Sequence, residues 1–264
     1  MILNIDVHLA YDMSASSELL LQIEVAHSGT QRVLSETIKT NLTPHFHRVP
    51  AQDGMGTRAW LQSDGAFSCN YQARVDIARA HPDLRSLPAT AVQDVPGQYV
   101  RYLMPSRYCP TDAFETFAAS KFGGLEGGAC IAAIVQWISG AFAYVPGSST
   151  TQTTAIETFV ERKGICRDFA HVLICLARAS KIPARFASVY APDVAPPDFH
   201  AVAEVYLNGA WHLVDATGMA TPDQMAIIGV GADAADVAFL NVYGTASFVA
   251  QSVTVTAEKP VKTP

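Results

Sequence analysis

Charge is scarce in this chain. Only 16% of its 264 residues are Asp, Glu, Lys or Arg, and the formal balance is −6. No cluster of Lys and Arg appears, which argues against nucleic acid, because phosphate neutralisation needs one. A long apolar run is also missing. Leu19-Leu20-Leu21 is interrupted at Gln22 and Glu24, and the opening Met-Ile-Leu-Asn-Ile-Asp has no basic segment followed by an apolar one. The expectation is no membrane span and no secretory signal. The sequence has no Cys-x-x-Cys and no internal repeat. Its five cysteines, Cys69, Cys109, Cys130, Cys166 and Cys175, are an odd number in a long chain. They read as reduced thiols of a cytoplasmic protein, not as a disulfide framework. His45 and His47 form an H-x-H without a third ligand of suitable spacing. No metal and no cofactor is therefore expected.

What the chain does have is apolar residues, 49% of the total and enough for a sizeable core. Up to about residue 105 the pattern is β. Ile2, Asn4, Asp6 and His8 alternate with Leu3, Ile5, Val7 and Leu9, and similar runs cover Glu18–Ala26, Gln31–Ile38, Ala59–Gln62, Ala66–Val75 and Tyr99–Leu103. Strands without intervening helices argue for a sandwich. Ser106–Thr111, with Pro105 before it and Pro110 within it, reads as a linker. Beyond it, Ala113–Phe122, Gly128–Phe142, Thr154–Val160 and Asp168–Lys181 have helical spacing. Strands return at Ala184–Tyr190, His200–Leu207, Ala210–Ala216, Met225–Val230 and Thr245–Val255. The expected organisation is a β-rich domain over 1–105, a core over 106–258 and a loose tail over 259–264. The fold class is α+β, an antiparallel β-sandwich followed by a helix packed on an antiparallel sheet.

Gly164-Ile165-Cys166-Arg167-Asp168-Phe169-Ala170-His171 places a cysteine where a glycine turn meets an apolar helix. Unpaired N–H groups of a first helical turn and the helix dipole both favour thiolate there. Asn208-Gly209 lies between two strand-like runs and signals a two-residue hairpin. Counting outward from it, Tyr206 opposes Trp211, Glu204 opposes Leu213 and Val202 opposes Asp215. His200 and Asp215 then share a face as diagonal neighbours, with Cβ atoms about 6–7 Å apart. Nucleophile, base and orienter follow in the order Cys166, His200, Asp215.

The chain resembles the bacterial transglutaminase-like proteins, cysteine-protease relatives within the papain-like superfamily. The resemblance is carried by the Gly164–His171 run, Ile182-Pro183-Ala184-Arg185-Phe186, Asp198-Phe199-His200-Ala201 and Asp215-Ala216-Thr217. Pro105-Ser106-Arg107-Tyr108-Cys109 and the segment Gly231–Phe239 look like the family too. Val202 stands where the family often has Trp, and Ala216 where it often has Pro; neither change removes a triad atom. The resemblance implies a thioester intermediate formed by Cys166 and a transglutaminase-like core. The substrate it implies is a peptide or protein, and the reaction most in keeping with the family is peptide or isopeptide hydrolysis. Acyl transfer to an amine and a non-catalytic binding module are the alternatives. It also suggests an aromatic oxyanion donor, for which Tyr144 is the candidate beside the Cys166 N–H.

Other residues have plainer readings. Arg167 and Asp168 support the helix start as an ion pair or cap. His171 packs or makes a hydrogen bond, and His212 falls on the face opposite His200. Glu204 competes with Asp215 as orienter but lies deeper in the hairpin. Cys109 is structural, and Cys69, Cys130 and Cys175 are core thiols. Self-association into a homo-oligomer is left open.

Overall fold

The computed structural model describes residues 1–41 and 46–258. Its first strands are β1 (Ile2–Leu21), β2 (Gln31–Thr40), β3 (Phe46–Pro50) and β4 (Thr57–Ile77). Helices α1 (Glu115–Phe122) and α2 (Gly127–Ala141) come next, then the two-residue strand β5 (Ala143–Tyr144) and helix α3 (Ala155–Glu161). A second short strand, β6 (Lys163–Gly164), leads into helix α4 (Cys166–Ala179). The chain ends in strands β7 (Ala184–Tyr190), β8 (His200–Leu207), β9 (Ala210–Val214), β10 (Ala226–Gly231), β11 (Leu240–Tyr243) and β12 (Ala246–Ala257). The class is α+β with antiparallel sheets.

β1, β2, β3, β4, β11 and β12 form one six-stranded antiparallel sheet. Alternation sets its inner face: Leu3, Ile5, Val7 and Leu9 of β1 and Phe67, Cys69, Tyr71 and Val75 of β4 are all buried. β1 and β4 run through a register shift between Met13 and Ser17, where Ser14 and Ser16 interrupt the apolar alternation. Before the shift β12 flanks β1, and after it β11 does. The layers expected of a sandwich are thus one continuous sheet meeting Tyr190, Ala226 and Ile228 of a second.

That second sheet has the order β10-β7-β8-β9. One of its faces packs on α4 through Phe186, Ala203, Val205 and Val214. α4 is buried almost all round, from Asp168 to Arg178, as a central helix must be when helices also cover its other side. It ends where Lys181 turns into the left-handed region, with Pro183 just beyond.

Three strand expectations need correction. Tyr99–Leu103 is not a strand but part of a 3-10 helix over Gly97–Leu103. Pro96 precedes it and cannot donate to a ladder, and Tyr99 and Tyr102 anchor on Trp211, with ring centroids 5.1 and 5.5 Å away. Glu18–Ala26 is not a separate strand either, since β1 is continuous to Leu21, and Ala59–Gln62 and Ala66–Val75 are parts of one strand, β4. The sheets also cut across the expected 1–105 and 106–258 division: β11 and β12 pair with β1. The 259–264 segment lies outside the described residues. No single helix among the described residues is long and apolar enough to cross a membrane.

Candidate active site

The Asn208-Gly209 hairpin forms in the register counted from the sequence. Leu207 faces Ala210, Tyr206 faces Trp211 and Glu204 faces Leu213. Asn208 and Gly209 have φ of 49° and 73°, as a type I′ turn requires. Beyond the ladder, His200 Nε2 meets Asp215 Oδ2 at 2.9 Å, and both side chains are shut from solvent.

Asp215 is held from every side. Oδ1 accepts from the Thr217 N–H at 2.8 Å and the Thr217 hydroxyl at 2.6 Å. Oδ2 accepts from the N–H groups of Met219 and Ala220, each at 3.0 Å. Burial works against ionisation of this carboxyl, but the His200 and Thr217 bonds outweigh it and hold the group below the usual carboxylate range. The Asp215 bond places the Nε2 proton, so His200 Nδ1 is the free nitrogen; it has no hydrogen-bond partner among the described residues.

Cys166 is the first residue of α4 and is the one cysteine of the five that is not buried. Its sulfur acts on His200. Burial lowers the imidazole, but Asp215 and then Cys166 outweigh that and raise it to about 9. The imidazolium is therefore the favoured form across neutral pH.

The joint before α4 is built by Asp168. Its carboxylate, wholly buried, accepts from the Ile165 N–H at 2.9 Å and caps the helix. A Cβ on Gly164 would stand 2.7 Å from the Asp168 Cβ, which is why glycine is needed there. Arg167 lies 3.4 Å from Asp168 and donates to the Thr150 carbonyl at 2.6 Å, so it ties the loop before α3 to the helix start. Tyr144 arrives by another device. β5 pairs in parallel with β6, with Tyr144 opposite Gly164. Burial and then the Cys166 charge push its phenol up to about 12, so it remains a protonated donor beside Cys166.

The remaining candidates fall elsewhere. Glu204 does not reach His200. It pairs with Arg185 at 2.7 Å, and Arg185 also binds Asp53 at 2.9 Å. His171 is stacked on Tyr108 at 5.3 Å and accepts from the Ala234 N–H at 3.2 Å. Burial drives its imidazole down to about 3, so it stays neutral. His212 lies in β9 beside the Leu207 carbonyl, 3.2 Å away. His45 is outside the described residues.

Sequence reasoning gave no role to Arg178 and Asp233. Arg178 is buried in α4, donating to the carbonyls of Ala184 at 2.9 Å, Met104 at 2.9 Å and Ala232 at 2.6 Å. Asp233 accepts from the Tyr108 N–H at 2.7 Å. Together with His171 they bring the Pro105–Cys109 and Gly231–Phe239 segments onto the helix that presents Cys166. An arginine inside the apolar run Val172–Ala179 was the available signal, since a buried guanidinium needs partners.

The fold recurs in known proteins. The model of the transglutaminase-like superfamily matches residues 118–216, which include Cys166, His200 and Asp215. A solved structure from Cytophaga hutchinsonii, described as a candidate cysteine protease, is 31% identical and superposes with a TM-score of 0.92, covering 100% of this chain and 93% of that one. An uncharacterized protein of Mycobacterium leprae is 22% identical over 62% of this chain. One of Mycobacterium tuberculosis is 33% identical over 36% of it. The matches span 63% and 35% of those two mycobacterial proteins, less than two thirds of either. The chain belongs to the transglutaminase-like superfamily.

Proposed function

We propose that this protein cleaves an amide bond of a peptide or protein through a Cys166–His200–Asp215 triad. The Cys166 thiolate attacks the acyl carbon, and the oxygen takes up negative charge against the Cys166 N–H and the Tyr144 hydroxyl. Imidazolium His200 gives its proton to the leaving amine as the C–N bond breaks, which leaves a thioester. His200 Nδ1 then takes a proton from water as that water attacks the thioester, and the acid departs with Cys166 restored as thiolate. Asp215 keeps the imidazole in the tautomer whose Nδ1 faces the sulfur. Arg167 and Asp168 position the helix start without touching substrate.

The observation that carries this reading is the His200–Asp215 bond, with Nδ1 left free and the Cys166 sulfur acting on the same ring. The reaction needs a free thiol, which a reducing compartment such as the cytoplasm would maintain. The test is labelling with iodoacetamide at low pH. Selective modification of Cys166, lost in His200→Ala, is the expected result, and a Cys166 no more reactive than the other four thiols would sink the proposal. Hydrolysis is separated from acyl transfer by offering an acyl donor with and without a primary amine. Amine incorporation outrunning hydrolysis would make the protein a transferase.

A further inference from the structure

One carboxylate close to His200 in the chain has no role in the triad. Asp198 stands two residues ahead of His200, at the entry to β8. Its Oδ1 accepts from the Phe199 N–H at 2.7 Å and from Gln251 Nε2 at 2.6 Å. Gln251 belongs to β12, so the last strand of the first sheet fixes the orientation of an acid beside the catalytic histidine. Both bonds fall on the same oxygen, and Oδ2 has no partner among the described residues. No Lys or Arg among the described residues acts on the group, although part of its surroundings is dry enough to push its carboxyl up. The residue is nevertheless exposed.

The Asp198 charge is felt by the phenols of Tyr144 and Tyr11. Tyr144 borders Cys166, and Tyr11 packs edge-on against the exposed ring of Phe248, centroids 5.8 Å apart. An exposed carboxylate with one free oxygen attracts an alkylammonium, which it can bind through a charge-assisted hydrogen bond.

From this placement we infer that Asp198 is a specificity-determining residue: it selects substrates carrying a positively charged, lysine-type group close to the acyl carbon that Cys166 attacks. The inference rests on the proposed acyl chemistry at Cys166. A purely structural Asp198, stapling Phe199 to Gln251 through Oδ1, would be served equally well by asparagine, whose carbonyl accepts the same two bonds. The charge is what distinguishes the two roles.

The experiment measures Cys166 modification by methanethiosulfonates of equal length that carry an ammonium or a sulfonate. Each is applied to the wild type, Asp198→Asn and Asp198→Glu, with the modified cysteine mapped by mass. The wild type should favour the ammonium reagent. The ammonium-to-sulfonate rate ratio should fall about tenfold in Asp198→Asn, as loss of a unit charge within reach of the reagent implies, and should recover in Asp198→Glu. A ratio within about twofold of wild type in Asp198→Asn overturns the inference while leaving Cys166 as the nucleophile. A fall that Asp198→Glu does not restore overturns it as well. Modification of Cys166 no faster than that of the other thiols overturns the acyl chemistry itself, and the inference with it.

Discussion

Replacing Asp215 by Asn should destabilise the protein in a pH-dependent way. The carboxylate accepts five hydrogen bonds, two from Thr217 on Oδ1 and three from His200, Met219 and Ala220 on Oδ2. An Asn amide has one accepting oxygen. Whichever way it lies, its NH2 faces at least two donors, and the charge that stabilises the imidazolium is gone. His200 sits at about 9 in the folded chain against an ordinary 6.5. A raised value favours the folded state when the group is protonated. That contribution is fully present below pH 6.5 and is lost as pH rises through about 9. The difference of 2.5 units corresponds to about 3 kcal/mol. Part of it belongs to Cys166, so about 3 kcal/mol is a ceiling for Asp215.

The assay is urea unfolding of wild type and Asp215→Asn at about pH 6 and about pH 10, both under reductant. Groups away from Cys166 and His200 titrate alike in the two proteins and cancel in the difference, and Asp215 stays ionised across this range. The lost hydrogen bonds cost the variant a fixed amount at both pH values. The His200 contribution adds about 2–3 kcal/mol at the lower pH alone. A destabilisation equal at both pH values would refute the reasoning, since it would mean that Asp215 does not hold His200 in its charged form.

Further outcomes follow from contacts around the helix start. Gly164→Ala forces a Cβ to within 2.7 Å of Asp168, and the chain must shift to relieve it; thermal unfolding should show a loss of about 1–3 kcal/mol, with slower alkylation of Cys166. Glu204→Gln weakens the buried pair with Arg185 and should lower the melting temperature, yet leave the pH profile of Cys166 alkylation where it is. A shifted profile would make Glu204 an orienter of His200 after all.

The His200–Asp215 pair was legible because the turn that sets it is local. Asn208-Gly209 fixes the register, and a one-residue slip would have put the two on opposite faces. The buried alternation of β1 was legible for a similar reason, since period two survives any tertiary setting. Tyr144 was reachable only through resemblance: a two-residue parallel pair such as β5–β6 leaves no pattern in a sequence. Tyr99–Leu103 looked like a strand because aromatic and β-branched residues serve equally well as anchors on Trp211. The competition between Glu204 and Asp215 was decided by Arg185 and Asp53, more than a hundred residues apart in sequence. Pairing of β11 and β12 with β1 is equally remote, and alternation does not say which strand is the neighbour.

That remote pairing decides how the chain folds. The 106–258 segment contains Cys166, His200 and Asp215, and on sequence alone it reads as a core of its own. Removed from residues 1–105, it would leave β11 and β12 without β1. Tyr190 and Ile228 would lose the apolar face that buries them. The Tyr190 hydroxyl would lose the Ile23 carbonyl at 2.7 Å, and Ile227 would lose Gln31, whose side-chain amide closes on its backbone N–H and carbonyl, each at 2.8 Å. Arg185 would lose Asp53 and keep Glu204 as its acidic partner. Two fully buried large side chains alone are worth about 3–6 kcal/mol of burial, comparable to the whole stability of an ordinary domain. The 106–258 fragment should therefore lack a cooperative unfolding transition and should label all its cysteines at similar rates. A fragment that unfolds cooperatively, with Cys166 still the preferred site, would show that the first sheet is an accessory. The Gln251–Asp198 contact would then be a docking detail and not part of what holds the acid beside His200.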